Sequence, residues 1–323
     1  MPAHILGIEI GNSWIKLLEV SKMGGYTKIH QFSMLEIPKD SMKDGEIQDI
    51  QSLQKLILKE LEDKKYQAKK AVVIVQSSQI IYRQIELKKM SEKAMSQWLE
   101  VKIEDLLPIK SRNYQLDYKV VGILKQEQNI RNRALLVATP RTIITKTMQL
   151  IKALHCTPIL ITNSAEAIAY LCLSEPFFEL KKIPAMMVMD IGCETTHITI
   201  VSNKGDVLSQ SILYGTHQLD KPISEAWESE EGVIYAQIDY HILKETKQVL
   251  QFFEEHFKCE KVSKIYLIGS GTKIKGIRSY IRDELELPTE IMNQLDTILM
   301  APQANFERYV ELFINLLGGV KAV

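Results

Sequence analysis

The chain has 323 residues, and 40 Lys plus Arg balance 40 Asp plus Glu. It is too long for one compact core, and it carries no net charge to favour nucleic acid. A hydrophobic fraction of 46% and a charged fraction of 25% are ordinary for a globular protein. Cys156, Cys172, Cys193 and Cys259 are far apart with no metal-binding spacing, and they read as reduced thiols. No basic-then-apolar leader opens the chain, and no apolar run nears the ~20 residues of a membrane helix. The expectation is a cytoplasmic protein that reaches a membrane only through a partner, with no direct insertion.

In chain order, His4 to Val20 is rich in Ile, Leu and Val and broken by Gly7, Gly11 and Asn12, which predicts two strands joined by a tight turn. Residues 25–38 predict a third strand. Ile50, Leu53, Leu56, Ile57 and Leu61 mark one helix face within 47–64, and the apolar run 71–76 suits a buried strand. A strand over 77–87, a helix over 92–106 capped by Ser91, strands over 114–121 and 133–138 and a helix over 142–154 form a small unit of their own. Pro108 is read as ending the first of those helices.

A second nucleus opens at Ile183, with strands over 186–191, 196–202 and 206–213. A helical stretch runs to about Lys258, and a strand over 264–268 is closed by Gly269 and Gly271. The last helix is placed over 305–317, stopped by Gly318 and Gly319.

The two nuclei open alike. ILGIEIGNSWIKLLEV and MVMDIGCETTHITIVS share an apolar strand, an acid, an apolar residue, Gly, a polar turn and an apolar strand. A hairpin with Gly11 at its tip offers backbone N–H groups to phosphate oxygens, Glu9 can hold Mg²⁺ through water, and Lys16 adds positive charge. Asp190, Gly192, Thr195 and Thr196 repeat the scheme, and the two hydroxyls add donors. Alone, the first hairpin reads more readily as an ordinary Gly turn with a solvated Lys, and the second as an ordinary Gly turn. Facing each other, they would clamp a phosphate chain. Gly269 and Gly271 let a flat base approach the backbone or simply make a strand-to-helix turn.

The ordered set resembles the phosphate 1, phosphate 2 and adenosine motifs of the actin, sugar kinase and heat-shock chaperone superfamily. The resemblance implies an α/β, actin-like fold of two ribonuclease-H-like lobes closing on ATP and Mg²⁺. Ile161 to Ala169 and Asn315 to Gly319 would be the connecting helices. It implies nucleotide contacts at Gly11, Asn12, Ser13, Lys16, Gly192, Cys193, Thr195, Thr196, Gly215, Gly269, Gly271 and Lys273, with Glu9 and Asp190 on the hydrated metal.

A closer likeness lies in VKIEDLLPIKSRNYQLDYKVVG, where Glu104, Leu107, Pro108, Tyr114, Asp117 and Tyr118 resemble the type IV pilus assembly protein PilM family. That implies an inserted 1C subdomain at 77–157, subdomain 1A at 1–76 and 158–182, subdomains 2A and 2B at 183–304 and a final connecting helix at 305–323. The function implied is an ATP-binding adaptor that hydrolyses ATP slowly if at all. It would dock the cytoplasmic tail of a PilN-like inner-membrane protein in a groove that includes Pro108, Tyr114 and Tyr118. The pilus motor ATPase and self-association are carried as further contacts.

An FtsA-like filament former and a metabolite kinase are the alternatives. The first normally carries a C-terminal amphipathic anchor, whereas this sequence stops at Lys321-Ala322-Val323, directly after the last core helix. The second needs a general base and lacks a 1C unit. Glu9 replaces the family's usual Asp, Gly215-Thr216 replaces Gly-Gly, and 218–244 is short for subdomain 2B. The short segment implies a partly missing adenosine wall and weak or absent ATP binding. No general base is assigned; His197 and His217 read as structural or solvated, and Met186, Met187 and Met189 as core filler.

Overall fold

The computed structural model describes residues 3–88, 90–107, 109–126, 129–178, 182–218, 238–257, 261–300 and 306–323. Pro108, Cys259 and residues 219–237, most of the segment read as shortened, lie outside the described residues.

Strands β1 (His4–Ile10), β2 (Trp14–Met23) and β3 (Tyr26–Glu36) form an antiparallel meander, followed by the short β4 (Met42–Lys43) and β5 (Glu46–Ile47). Helix α1 (Ile50–Asp63) starts where Asp49 Oδ1 accepts the Ser52 N–H at 3.1 Å, and it buries Leu53 and Ile57. It returns the chain to β6 (Lys70–Val75), which pairs parallel with β1. From Ala71 onward β6 is buried on both faces, which is why its sequence does not alternate.

The small unit follows. Strand β7 (Ile81–Lys88), helix α2 (Glu92–Leu106), strand β8 (Tyr114–Gln126) and strand β9 (Asn129–Pro140) form a sheet in the order β7-β9-β8. Ser91 Oγ caps α2 by accepting the Ala94 N–H at 3.3 Å. Met95, Leu99 and Ile103 of α2 pack on Ala134, Leu136 and Ala138 of β9. Helix α3 (Arg141–Ala153) leads to β10 (Thr157–Asn163), which joins β6 in parallel, and then to helix α4 (Ser164–Ser174). The connecting helix expected at 161–169 therefore begins only at Ser164, because Ile161 to Asn163 still pair with β6.

The second nucleus comprises β11 (Ala185–Ile191), β12 (Thr196–Ser202), β13 (Val207–Ile212), α5 (Lys244–His256), β14 (Val262–Ile268), α6 (Ile277–Leu285) and β15 (Thr289–Ile291). Its strand order is β13-β12-β11-β14-β15. The first sheet runs β3-β2-β1-β6-β10 in the same sense, with β16 (Ile298–Met300) added beside β3. In both, three antiparallel strands are followed by two parallel ones. The internal repeat is thus two copies of one sheet. The registers match pair by pair: Glu9 faces Lys16 and Ile10 faces Ile15, as Asp190 faces His197 and Ile191 faces Thr196.

Helix α7 (Ile314–Lys321) corrects the reading of the C-terminal glycines. It begins at Ile314 and runs through Gly318 and Gly319 instead of stopping at them. A Cβ at Gly318 would lie 2.2 Å from the Ala167 carbonyl oxygen on α4, and one at Gly319 would lie 2.3 Å from Ile74 Cδ1 on β6. Gly318 lets α7 approach the backbone of α4, and Gly319 makes room for the Ile74 and Val72 side chains of the first sheet. The two helices pack on each other between the sheets.

The small unit also reaches the second lobe. Arg133 on β9 forms an ion pair at 3.0 Å with Asp206, which is 2% exposed and precedes β13. Gln84 Nε2 on β7 donates to the same Asp206 oxygen at 3.1 Å.

Candidate functional site between the two lobes

The repeated hairpins meet across the cleft. In each, the Gly N–H closes the turn at 3.0 Å: Gly11 onto the Trp14 carbonyl and Gly192 onto the Thr195 carbonyl. Behind the tips, at the ends of β1 and β11, Glu9 and Asp190 are 2% and 5% exposed. Lys16 Nζ donates to Glu9 Oε1 at 2.9 Å. Asn315 Nδ2, from the buried face of α7, reaches Asp190 Oδ2 at 2.8 Å and Glu9 Oε1 at 3.3 Å. Gln76, one residue beyond β6, donates to Asp190 Oδ2 at 3.3 Å.

Burial, reinforced by the Asp190 charge, holds the Glu9 carboxyl above the usual carboxylate range against the pull of Lys16. Burial works against the Lys16 charge too, but Glu9 and Asp190 outweigh it and keep that amine above its ordinary value. His197 stands where Lys16 stands in the other lobe. Its Nδ1 meets Ser211 Oγ at 2.9 Å and its Nε2 meets Thr195 Oγ1 at 3.1 Å, and burial lowers its proton affinity.

Two connected chambers lie along the tips. The inner one, about 110 Å³, is lined by Glu9, Lys16, Gln76, Asp190 and His197 among others. The outer one, about 840 Å³, is lined by residues 36–40 and 42–44 with Thr216 and His217. Both share Asn12, Ser13, Trp14, Asp44, Cys193 and Glu194.

Asn12 Oδ1 accepts the Gly45 N–H at 2.9 Å and so ties the β4–β5 hairpin to the first tip. Ser13 Oγ donates to Glu194 Oε1 at 3.0 Å, tip to tip. Gly269, at φ 83°, leaves no space for a side chain, since a Cβ would lie 2.3 Å from Asp190 Oδ1. Ser270 lies 3.6 Å from Cys193 Sγ through its hydroxyl.

The structure therefore gathers Glu9, Gly11, Asn12, Ser13, Lys16, Asp190, Gly192, Cys193, Thr195 and Gly269 at the chambers. Thr196, Gly215, Gly271 and Lys273 line neither. The Thr196 hydroxyl is spent on the Tyr214 carbonyl at 2.8 Å, and a Cβ at Gly271 would lie 2.3 Å from Ile191 Cγ2. Lys273 pairs with Glu311 and with the Arg308 carbonyl. At Gly215 the constraint is space rather than backbone freedom: a Cβ would lie 2.5 Å from the Cys193 carbonyl oxygen, and neither Gly215 nor Thr216 has positive φ. That is why Thr216 is accommodated. Its N–H bonds the Gly192 carbonyl at 3.0 Å.

The motifs give neither Asn315, expected only as the start of a connecting helix, nor Gln76 a place at the site. The signal for Asn315 was a lone amide inside the apolar run Phe313 to Val320. Tyr114 and Tyr118 share the β8 face that packs on the α2 cluster with Leu116, whereas Gln115, Asp117 and Lys119 are exposed on the other face. No helix among the described residues is long and apolar enough to cross a membrane.

Twin sheets of one strand order, closing on paired acid-tipped hairpins, define an actin-like two-lobed protein. Solved structures agree on the fold. The chain is similar to the PilM-PilN type IV pilus biogenesis complex (19% identity, 99% of this chain and 97% of that one, TM-score 0.81). It is also similar to the ethanolamine utilization protein EutJ from Carboxydothermus hydrogenoformans (13% identity, 99% and 90%, TM-score 0.56). A Bacteroides thetaiotaomicron protein with an actin-like ATPase fold and unknown function matches at 12% identity, 96% of each chain and TM-score 0.50. The family model for type IV pilus assembly protein PilM matches residues 7–234, and the chain belongs to that family.

Proposed function

We propose that this protein is a nucleotide-binding adaptor of type IV pilus assembly that docks the cytoplasmic tail of a PilN-like inner-membrane protein. Membership of the family and the likeness to a PilM-PilN complex support the partner class. The observation that carries the docking site is a pair of free sheet edges. Strand β8 pairs only with β9, and β10 only with β6, among the described residues. An extended tail gains main-chain hydrogen bonds by adding to such an edge.

The β8 residues Asp117 and Lys119 act electrostatically on Glu166 at the start of α4, so one face of the small unit overhangs the first lobe there. The groove face of β8 is then Gln115, Asp117 and Lys119, with Tyr114 and Tyr118 supporting it from the α2 side.

The cleft suits ATP with Mg²⁺. Glu9 Oε2 is buried without a hydrogen-bond partner. Two carboxylates are what a hydrated Mg²⁺ takes, since it keeps several waters and uses one or two acids. Glu9 and Asp190 would hold the hydrated metal, and Lys16 with the two tips would take the phosphates. When bound, the metal neutralises phosphate charge. The outer chamber, about 840 Å³, is within the size range of small-molecule pockets, and the Gly269 turn expected at the adenosine lines the inner one.

Fluorescence anisotropy with labelled tails of candidate membrane partners tests the adaptor reading. Exchanging Asp117→Arg with Lys119→Glu, both exposed, should weaken the cognate tail at least about tenfold at unchanged melting temperature. Unchanged affinity would move the groove elsewhere. Calorimetry with MgATP on wild type and Asp190→Ala tests the cleft. The loss should be larger with Mg²⁺ than without, and no binding up to millimolar would leave a scaffold without nucleotide.

A further inference from the structure

The contact between the two hairpin tips has the chemistry of an occupied phosphate site. Glu194 is the second residue of the second-lobe tip, and its side chain is 38% exposed. One oxygen, Oε1, accepts the Ser13 hydroxyl of the opposite tip at 3.0 Å and faces His217 Nδ1 at 3.1 Å. The Glu194 carbonyl accepts Gln218 Nε2 at 3.1 Å, which fixes the residue's backbone against the loop that follows β13. A negatively charged oxygen that takes donors from both lobes at this spot does what a nucleotide phosphate oxygen would do there.

Its position gives that contact a consequence. Ser13 and Glu194 line both chambers, so the bridge stands in the wall between the outer space and the inner carboxylate pair. Phosphates that travel from one to the other displace it. Charge adds to the obstacle: the inner chamber is lined by Glu9, Asp44, Asp190 and Glu194, against Lys16. Of these acids, Asp44 is held by the Ser78 N–H and hydroxyl at 2.8 and 2.7 Å, and Glu9 and Asp190 are held by Lys16, Asn315 and Gln76. Glu194 is the one whose side-chain partners are a hydroxyl of the opposite tip and an exposed imidazole in the loop after β13.

We infer that Glu194 is an internal competitor of nucleotide phosphate, bridging the hairpin tips through Ser13 and lowering the affinity of the cleft for polyphosphates. The inference rests on the reading that the cleft takes a nucleotide. It gives the weak binding expected of this chain a cause in the phosphate site, separate from any change in the adenosine wall.

Calorimetry on Glu194→Gln, with MgATP, metal-free ATP and inorganic tripolyphosphate as probes, tests it. Glu194→Gln keeps the shape and an oxygen for Ser13 but removes the charge, and Glu62→Gln, exposed on α1 and lining neither chamber, is the control for loss of surface charge. The expected result is at least about fivefold tighter MgATP binding for Glu194→Gln, a larger gain for the more highly charged metal-free ATP and for tripolyphosphate, and under about twofold for Glu62→Gln. Binding by Glu194→Gln with none by wild type supports the inference equally.

If wild type binds MgATP and Glu194→Gln binds it no tighter, or if both variants gain alike, the competitor role is overturned and the nucleotide reading stands. If neither wild type nor Glu194→Gln binds any probe up to millimolar while both melt cooperatively, the inference and the nucleotide reading fall together.

Discussion

Glu9 and Asp190, 181 residues apart by number, occupy the same position in two copies of one sheet and are joined by a single amide group, Asn315 Nδ2. Like charges in a buried site are tolerated only when donors satisfy them. Here Lys16 serves one carboxylate, Gln76 the other and Asn315 both. The α7 helix thus links the lobes through its polar residue as well as its apolar ones.

Asn315→Leu removes that shared donor and should cost about 1–3 kcal/mol of stability. Asn315→Asp adds a third acid to the same place and should cost more. Urea unfolding of both variants checks the order; an Asn315→Asp protein as stable as Asn315→Leu would mean that the two carboxylates are not both charged.

The Arg133–Asp206 pair ties the small unit to the second lobe. Arg133→Met removes the counter-charge of a buried carboxylate that keeps Gln84 and Ser202 as donors, with a loss on the order of 2–3 kcal/mol, less than for a fully buried pair because Arg133 also keeps 17% of its side chain exposed. A double-mutant cycle with Asp206→Asn should return a coupling above about 1 kcal/mol. Additive effects would show that the two side chains do not support each other.

Gly318→Ala places a methyl group against the Ala167 backbone, where no side chain can yield. A loss of about 2–3 kcal/mol is expected, visible as a lower melting temperature. Gly24→Asn is the contrasting case: its φ is 57°, nothing lies within 4 Å of a Cβ there, and Asn tolerates that conformation, so stability should hold within about 0.5 kcal/mol.

Glu166 carries a pH signature. Burial, with Asp117 across the gap, raises its proton affinity despite hydrogen bonds from Thr162 Oγ1 and Asn163 Nδ2 at 2.9 Å each. The folded state therefore holds a proton that the unfolded state has released, between the ordinary carboxylate value and the raised one. This group's contribution is complete below the ordinary value and is lost as pH rises through the raised one, at up to about 1.4 kcal/mol per pH unit. Glu166→Gln should flatten that part of the stability profile and be the more stable protein at pH 7. Parallel profiles for the two proteins, by chemical denaturation from pH 4.5 to 7.5, would contradict this.

Local pattern carried much of the outcome. The repeat around Glu9 and Asp190, the Ser91 cap, the apolar run of β6 and the glycines at the hairpin tips are short-range signals, set by strand periodicity, backbone hydrogen bonding and turn sterics, so the two-lobed fold and most of the chamber residues were legible in the sequence. What a residue meets from elsewhere in the chain was not. Gly318 and Gly319 look like a helix stop until α4 and β6 are laid against them, and Ile161 to Asn163 look like the start of a helix until β6 offers them a parallel partner. Thr196 and Lys273 read as ligands but are claimed by the Tyr214 carbonyl and by Glu311. Asn315 and Gln76 join the site only because folding brings them to Asp190, and Ser13 meets Glu194 only because the two copies of the hairpin face each other. Strand periodicity and turn chemistry set most of the elements and their polarity, because those are short-range effects; long-range packing decided where two of the helices begin or end and which polar groups are left to act.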